Sequence, residues 1–451
     1  MFKFQFIITQ KIMHKKIKVV LIGAGSFVFG STISSDLLTY PEMKDITISL
    51  VDIDKRKLQT SAKILKQKIQ NHHLNNYVEV TTNRREALKN ADYVVTSIRS
   101  GGMEATNLDL EIPAKYGIDQ GVGDTVGPGG VFYGLRNAST LLDIAHDMEE
   151  ISPDALLINY TNPMAIVSWA VNKFSKIKYI GLCDSVPETA RELAEFANVP
   201  FSEVTYVAAG INHMAWFIKL EWNGKDLYPI LETKLKDPKV YRNHSSFAYK
   251  EPVKVEIFKA TGYFQAENGN HLSEYLPYFR KTPDLIAKYR LLDHNGRMAF
   301  MNSRQKREER MERGKRNGRD TKIERSIEPA SKIIYAIEMD SPIKVYGNVI
   351  NTNLIPNLRY GSAVEVPVLV DGSGLHPVYI GEIPPHLAAL NNLNINVQEL
   401  VIKAIEEHSK ERVFQALLLD PLTSSLLTIP RIRSLWKEML ELEKPYLPEL
   451  R

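Results

Sequence analysis

The sequence predicts an α/β protein: a doubly wound parallel sheet, followed by a second region of mixed α+β character. Short apolar runs alternate with helical stretches over the first 200 residues. Several of these runs end in glycines or polar side chains, and the strand ends of a parallel sheet meet at one edge, where ligands bind. The chain has 451 residues, more than a single hydrophobic core usually contains, so two closely packed domains are expected.

Six apolar runs are predicted to form the parallel sheet, because each is short and is bounded by turn signals. They lie at 17–22, 46–51, 77–82, 91–98, 155–160 and 178–182. In the second half, further strands are predicted at 214–222 and 364–370, and Asn223-Gly224 predicts a hairpin turn. Helices are expected at 138–150, at 397–410 and after Pro430.

Composition excludes several classes of protein. The net charge of +4 is too small to indicate a nucleic-acid partner. No apolar run reaches the roughly 18 residues that a membrane span needs, so no membrane partner is expected. A single cysteine favours a reducing compartment, and we expect a cytoplasmic location. We interpret residues 1–16 as a tail and place the two domains at 17–200 and 201–451.

The first predicted strand runs into a glycine-rich turn, GAGSFVFG at 23–30, which opens a helix. Backbone amides at a helix start can hold a pyrophosphate, although Val28 takes the third glycine position of the G-x-G-x-x-G pattern. Asp52 ends the second strand, where an acid binds a ribose and disfavours a 2′-phosphate. The alternative is that Asp52 and Asp54 merely cap a helix. Together the two signals favour a Rossmann-like dinucleotide site.

Cys183, the only cysteine, directly follows the sixth predicted strand. Its options are inert filler, redox target, nucleophile or metal ligand. Asp184 comes next, and His213 lies in a turn after another apolar run. A thiolate, an imidazole and nearby oxygen atoms could hold one divalent ion with open positions for a substrate.

Two other segments are candidates for a substrate site. The glycine-rich stretch at 120–130 surrounds Asp124 and is interpreted as a close-approach loop rather than a packed element, with Asp124 accepting hydrogen bonds from sugar-like hydroxyls. The stretch at 265–279 is dense in ionisable and aromatic groups and suggests an active-site wall, although core packing would also explain its aromatic residues. The mixed-charge run at 303–325 is interpreted as a solvated helix face or mobile excursion rather than an RNA-binding segment.

These motifs, in this order, resemble glycoside hydrolase family 4. The resemblance is carried by GAGS at 23–26, DID at 52–54, GDTVGPGG at 123–130, NYTNPM at 159–164, GLC at 181–183 and AGINHMA at 209–215. The loop at 123–130 and the segment NINVQEL at 394–400 look most like the alpha-galactosidase (melibiase) branch. The family implies a lactate/malate dehydrogenase-like superfold, with NAD bound in the first domain and substrate, metal and oligomer contacts in the second.

The resemblance also implies roles for individual residues. Cys183 and His213 would hold a divalent metal, typically manganese, and Asp124 and Asn162 would contact the substrate. Asp184 matches the proton donor and Tyr275 the base, with Glu267 or His271 as alternative bases. NAD would be bound by Gly23, Gly25, Ser26, Phe27, Asp52 and Ile53. A homodimer or homotetramer is implied as well.

The family's chemistry is a redox-assisted cleavage of the glycosidic bond. NAD⁺ takes a hydride from C3 of the sugar, the metal polarises the ketone, a base removes the C2 proton and the aglycone is eliminated. Water then adds back and the hydride returns, so NAD is not consumed. Asp184 departs from the alpha-galactosidase pattern, in which histidine is usual, and a carboxylic acid donor there needs a raised pKa.

Several alternatives remain at this point. Within the family, the substrate could be an alpha-glucoside, an alpha-glucuronide, an alpha-galacturonide or a 6-phosphoglycoside. The phosphorylated class is disfavoured, because only scattered residues such as Arg280 and Arg297 offer a basic phosphate site. In other classes, the chain could be a dehydrogenase for 2-hydroxy acids or a non-catalytic nucleotide-binding sensor. The paired Cys183 and His213 argue against a plain dehydrogenase.

Overall fold

The structure is a computed structural model that describes residues 16–316 and 322–451, and its strands join in one mixed sheet. The predicted tail therefore lies almost wholly outside the described residues, as does the 317–321 part of the charged run. The strands are β1 Lys18–Ile22, β2 Thr47–Val51, β3 Tyr77–Thr81, β4 Tyr93–Thr96, β5 Leu156–Asn159, β6 Lys178–Leu182, β7 Val204–Ile211, β8 Met214–Trp222, β9 Lys225–Asp226, β10 Ile343–Ile350, β11 Ala363–Asp371 and β12 Gly374–Pro377.

Strands β1 to β6 pair in parallel in the order β3-β2-β1-β4-β5-β6. This is the order of dinucleotide-binding sheets, with a switch point between β1 and β4. The predicted doubly wound sheet is confirmed, and the run at 178–182 coincides with β6. Because all six strands point the same way, their carboxyl ends form one edge of the sheet.

The second half extends this sheet rather than forming a separate one. Strand β10 pairs antiparallel with β6, at Gly347 with Leu182 and at Asn348 with Gly181. The sheet continues through β11 to the β7–β8 hairpin. The two halves therefore share one hydrogen-bonded layer, and a boundary near residue 200 remains a prediction.

Helices cover both faces of the sheet and connect its strands. In the described ranges, no helix combines the length and apolar character that would carry it through a lipid bilayer. The helices are α1 Phe27–Leu37, α2 Lys55–Asn71, α3 Arg84–Ala87, α4 Gly102–Lys115, α5 Gly127–Ile151, α6 Met164–Phe174, α7 Ser185–Ala197, α8 Tyr228–Leu235, α9 Phe247–Lys250, α10 Pro252–Thr261, α11 Gly269–Tyr275, α12 Pro283–Lys288, α13 His294–Arg316, α14 Pro329–Glu338, α15 Pro385–Glu407, α16 Lys410–Leu419, α17 Pro421–Leu426 and α18 Ile429–Leu442.

The glycine-rich stretch at 120–130 was predicted to be a close-approach loop rather than a packed element, and part of it is packed. Its last four residues are the buried first turn of α5. A Cβ at Gly129 would lie 2.6 Å from the Gly123 carbonyl oxygen and one at Gly130 would lie 2.4 Å from the Thr125 carbonyl carbon. The glycines at these two positions therefore allow the backbone to fold closely on itself. The loop part of the segment is confined to 120–126, and it is buried except at Asp124.

One further helix differs from the sequence-based expectation, and another agrees with it. Helix α15 begins at Pro385 rather than at 397, because Pro385 suits a first helical turn and buried residues recur along one face from Leu387 onward. The charged run begins inside helix α13, whose side chains at 302–307 are exposed to solvent. This agrees with a solvated helix face.

Candidate active site

Cys183 and His213 lie side by side, each at the end of a different strand. Cys183 follows β6 at once, and His213 belongs to the two-residue turn between β7 and β8, with φ 61 in the left-handed region. The Cys183 Sγ and His213 Nε2 atoms are 3.6 Å apart. Two side chains thirty positions apart in the sequence therefore converge on one point, on either side of β10 and β11 in the sheet.

Glu267 completes a cluster with these two residues, which we call the Cys–His–Glu cluster. Its Oε2 lies 3.4 Å from His213 Nε2. One potential ligand atom from each of the three residues lies within 4.8 Å of the others, and among the described residues this is the one such group of three. Sequence reasoning named Glu267 only as an alternative base.

The electrostatic setting of the cluster suits a cation. Burial raises the pKa of the Cys183 thiol well above its usual value, and the carboxylates of Glu267, Glu365 and Asp184 raise it further. Burial lowers the pKa of His213 to about 4, helped by His271. Metal binding requires a thiolate and a neutral imidazole. A divalent ion would supply the positive charge that a thiolate needs among these acids, so the residues present fit such an ion.

Helix α11 carries the remaining ionisable residues of the predicted wall. The His271 ring packs edge-on against His213, with ring centroids 4.3 Å apart. The Tyr275 ring is farther away, at 6.5 Å, and burial raises the pKa of its hydroxyl well above the usual range. Glu274 is a structural residue: its carboxylate accepts hydrogen bonds from the Val122 and Gly123 amides at 2.7 and 3.0 Å. It thereby fixes the segment that carries Asp124.

Asp124, Asp184 and Asn162 occupy loops near this wall. Asp124 Oδ2 lies 3.4 Å from Arg297 Nη2, and its Oδ1 is buried without a partner among the described residues. Burial, followed by the charge of Glu267, raises the pKa of Asp184, as a proton donor requires. Asn162 precedes a cis peptide bond to Pro163, and its carbonyl oxygen accepts a hydrogen bond of 2.6 Å from Asn137 Nδ2.

Arg280 is not available to a phosphate. Its guanidinium is buried and donates hydrogen bonds to Ser273 Oγ and to the carbonyl oxygens of Asp119 and Leu292. It therefore supports the backbone behind the site, in line with the low rank given to phosphorylated substrates.

The nucleotide turn, residues 23–30 together with Asp52, is held by backbone amides and tight packing. Gly23 has φ 92, and a Cβ there would lie 2.1 Å from the Ser97 carbonyl oxygen. The Gly25 amide donates to Asp52 Oδ2 at 2.8 Å. Gly30 packs against Ala24, where a Cβ would approach the carbonyl oxygen to 2.7 Å. Gly30 thus provides the close helix packing that the motif usually assigns to its third glycine.

The rest of this turn consists of the residues at the start of α1 and the two acids after β2. Ser26 is the N-cap of α1, and Phe27 is the first residue of that helix. Ile53, which follows Asp52, is 98% exposed. Asp54 differs from Asp52, because its carboxylate caps α2 by accepting from the Arg56 and Lys57 amides. The capping alternative thus describes Asp54 but not Asp52.

Sequence reasoning missed a second polar group beneath the cluster, the polar triad of Asn212, Asn348 and Glu365. All three are almost completely buried, and their side-chain oxygens and nitrogens make no hydrogen bond of ordinary geometry with any described residue. Burial, then the charge of Glu267, raises the pKa of Glu365 to about 8, although the facing amides of Asn212 and Asn348 lower it. The alternation around Glu365 predicted a strand, and β11 is buried on both faces here.

Comparison with known proteins shows the family to which the chain belongs. The Family 4 glycosyl hydrolase model matches residues 18–199, and its C-terminal domain model matches residues 208–423. An alpha-galactosidase of Bacillus subtilis (strain 168) is 37% identical over 436 residues, covering 96% of this chain and 99% of the relative. An alpha-galactosidase of Rhizobium meliloti (strain 1021) is 33% identical over 452 residues, covering 96% and 89%.

Solved structures agree in fold. A 6-phospho-alpha-glucosidase from gut microorganisms, in complex with NAD and Mn²⁺, has a TM-score of 0.82 at 23% identity and covers 97% of this chain and 100% of that one. Malate dehydrogenase of Cryptosporidium parvum has a TM-score of 0.52 at 17% identity, covering 87% and 100%, which concerns the fold alone. Both halves of the chain match their family models, so this protein belongs to family 4 of the glycosyl hydrolases and is a glycoside hydrolase.

Proposed function

We propose that this protein hydrolyses alpha-galactosides, using NAD and a divalent metal such as Mn²⁺. The observation that carries the proposal is the 3.6 Å distance between Cys183 Sγ and His213 Nε2, with Glu267 beside them. The strands that lead to these residues belong to the same sheet as the nucleotide turn. The substrate class is supported by the two alpha-galactosidase relatives. A member of the same fold holds both NAD and Mn²⁺.

Cys183 and His213 would hold the metal, and the nucleotide turn would hold NAD through Gly23, Gly25, Ser26, Phe27, Asp52 and Ile53. When bound, these groups supply hydride acceptance from C3 of the sugar and polarisation of the resulting ketone. Asp52, already fixed by the Gly25 amide, keeps lone pairs for a ribose hydroxyl and would repel a 2′-phosphate.

The remaining residues would move protons and hold the sugar. Asp184, partly buried next to Cys183, would protonate the departing glycosidic oxygen. A base on α11 would take the C2 proton; Tyr275 is the family match, whereas His271 lies closer to the cluster. Asp124 would accept hydrogen bonds from sugar hydroxyls, and the Asn162 side chain could both donate to such hydroxyls and accept from them.

One observation favours a second substrate class. Arg297 lies beside Asp124, and its Nε has no hydrogen-bond partner among the described residues. A guanidinium at that place could pair with the carboxylate of an alpha-galacturonide. Uronides therefore belong in any test of specificity.

The test is a panel of p-nitrophenyl alpha-glycosides and alpha-galacturonides, assayed with NAD⁺ and Mn²⁺ under reducing conditions. We expect hydrolysis of the alpha-galactoside, lost without NAD⁺ or after chelation. Cys183→Ser and His213→Ala should each lower turnover by about 10³-fold or more, since a metal supplies several kcal/mol of transition-state stabilisation. Cleavage that needs no NAD⁺, or NADH that accumulates in proportion to a 2-hydroxy acid, would overturn the proposal and favour a dehydrogenase.

Three expectations remain predictions that other measurements would test. They are a homodimer or homotetramer, a domain boundary near residue 200, and a cytoplasmic location. Sedimentation of the purified protein addresses the first, and limited proteolysis addresses the second.

A further inference from the structure

Glu267 has a strained backbone. Its φ of 90 lies in the left-handed region that residues with side chains rarely adopt. Such strain persists only where surrounding groups enforce it, and it concentrates at functional sites. The chain provides that enforcement: the Glu267 amide donates to Thr189 Oγ1 at 3.2 Å, and buried Lys254 donates to the same oxygen at 3.1 Å.

Gln265 links Glu267 to His213. Its Nε2 donates to the carbonyl oxygens of both residues, at 3.3 Å to Glu267 and 3.4 Å to His213. One amide therefore sets the separation of two backbones that are far apart in the sequence. Supporting hydrogen bonds of this kind orient the ligands of metal sites.

The Glu267 carboxylate is aimed at the cluster. Its Oε1 accepts hydrogen bonds from the Asn268 amide and side chain, at 3.0 and 2.5 Å. Its Oε2 is left facing His213 Nε2 at 3.4 Å, and the side chain is only 13% exposed. This arrangement presents one oxygen, rather than a bidentate pair, to the point shared with Cys183 and His213.

Two distances in the cluster match those between neighbouring ligand atoms of a single metal ion. Usual metal–sulfur, metal–nitrogen and metal–oxygen lengths in a tetrahedral site place sulfur and nitrogen about 3.6 Å apart, and nitrogen and oxygen about 3.4 Å apart. The Sγ to Nε2 distance is 3.6 Å and the Nε2 to Oε2 distance is 3.4 Å. We infer that Glu267 is the third protein ligand of the divalent ion, an inference that rests on the proposed function.

Charge supports the same assignment. A thiolate and a carboxylate together neutralise a divalent ion, while a neutral imidazole adds no charge. Three protein ligands leave a further position for substrate oxygen, as in catalytic metal sites. The competing explanation is that Cys183, His213 and Glu267 form a chain of hydrogen bonds, in which Glu267 affects the metal only through its negative charge. Measuring the metal affinity of Glu267 variants distinguishes the two explanations.

The experiment titrates metal-free protein with Mn²⁺ and measures the free ion by electron paramagnetic resonance. Glu267→Gln keeps the size of the side chain and removes its charge, and it should weaken Mn²⁺ affinity at least about 100-fold, since loss of supporting residues alone costs 10–100-fold. Glu365→Gln is the matched control, because it removes a buried carboxylate that also acts on Cys183 but is not in the cluster. Its effect should be at least tenfold smaller. Equal effects of the two variants would overturn the inference.

Failure of the proposed function gives a different result. Co²⁺ bound to unaltered protein should show a thiolate-to-metal absorption band that Cys183→Ser abolishes. If that band is missing in unaltered protein, the assignment of a metal site to Cys183 and His213 is wrong, and so is the assignment of Glu267 as a ligand. If the band is present and Glu267→Gln binds as tightly as unaltered protein, only the Glu267 assignment fails. If the Glu267→Gln variant does not fold, Glu267→Asp replaces it in the Mn²⁺ titration. Its shorter carboxylate keeps the charge but cannot reach the same position, so a ligand role predicts weaker Mn²⁺ affinity.

Discussion

The nucleotide turn and the Cys–His–Glu cluster lie along one sheet but are built in different ways. The nucleotide turn uses backbone amides and glycines from residues 23–30, together with Asp52 at the end of the adjacent strand β2. The cluster uses side chains from three segments: the end of β6, the turn after β7 and the loop before α11. Backbone sites of the first kind leave a local sequence pattern. Side-chain sites of the second kind exist only once the sheet has formed.

If the two regions are independent, a change in one should leave ligand binding at the other intact. Gly25→Ala tests this most strongly, because a Cβ would lie 2.6 Å from Asp52 Oδ2 and displace that carboxylate. Overpacking of this kind costs about 1–3 kcal/mol, so we expect NAD⁺ affinity to fall about 10- to 100-fold. Calorimetry with NAD⁺ and with Mn²⁺ measures both sites, and a comparable loss of Mn²⁺ affinity would show that the regions are coupled.

The cluster region should depend on pH in a way that the nucleotide turn does not. Glu365 has a pKa of about 8 in the fold against 4.5 as its ordinary value. The folded protein therefore holds a proton that the unfolded chain releases, and stability is lost as the pH rises from about 4.5 to about 8.

Replacing Glu365 by Gln removes this loss. In metal-free protein, the unaltered chain should lose about 3 kcal/mol more stability than Glu365→Gln between pH 5 and pH 8. Denaturant unfolding of both proteins at the two pH values measures the difference. Parallel pH dependences would mean that Glu365 is already ionised in the fold.

The smallest expected effect concerns Asp54 and tests whether its role differs from that of Asp52. Asp54→Ala removes the cap of α2 and should cost about 1 kcal/mol of stability. NAD⁺ affinity should stay unchanged, because the Asp54 carboxylate binds helix amides rather than the glycine turn. Thermal unfolding and NAD⁺ calorimetry check the two statements, and an Asp54→Ala variant that loses NAD⁺ affinity would assign both acids to the cofactor.

The difference between the two regions also explains what sequence reasoning could reach. The strands of the parallel half and the glycine turn follow from local apolar runs and turn residues, and the structure confirms that sheet. The proximity of Glu267 to Cys183 could not be derived, because it depends on the β7–β8 hairpin and on the strained loop before α11. Glu365 was missed for another reason: the sequence predicted its strand but not the place of that strand, and β11 lies buried in the middle of the extended sheet.

The junction between β6 and β10 gives the cluster a further property. Cys183 belongs to the parallel half, while His213 and Glu267 belong to the other, and the halves meet along a short antiparallel pairing at Gly181 and Leu182. Any opening of that junction pulls the sulfur away from its two companions. The arrangement of the three side chains is thus tied to the integrity of the contact between the two halves.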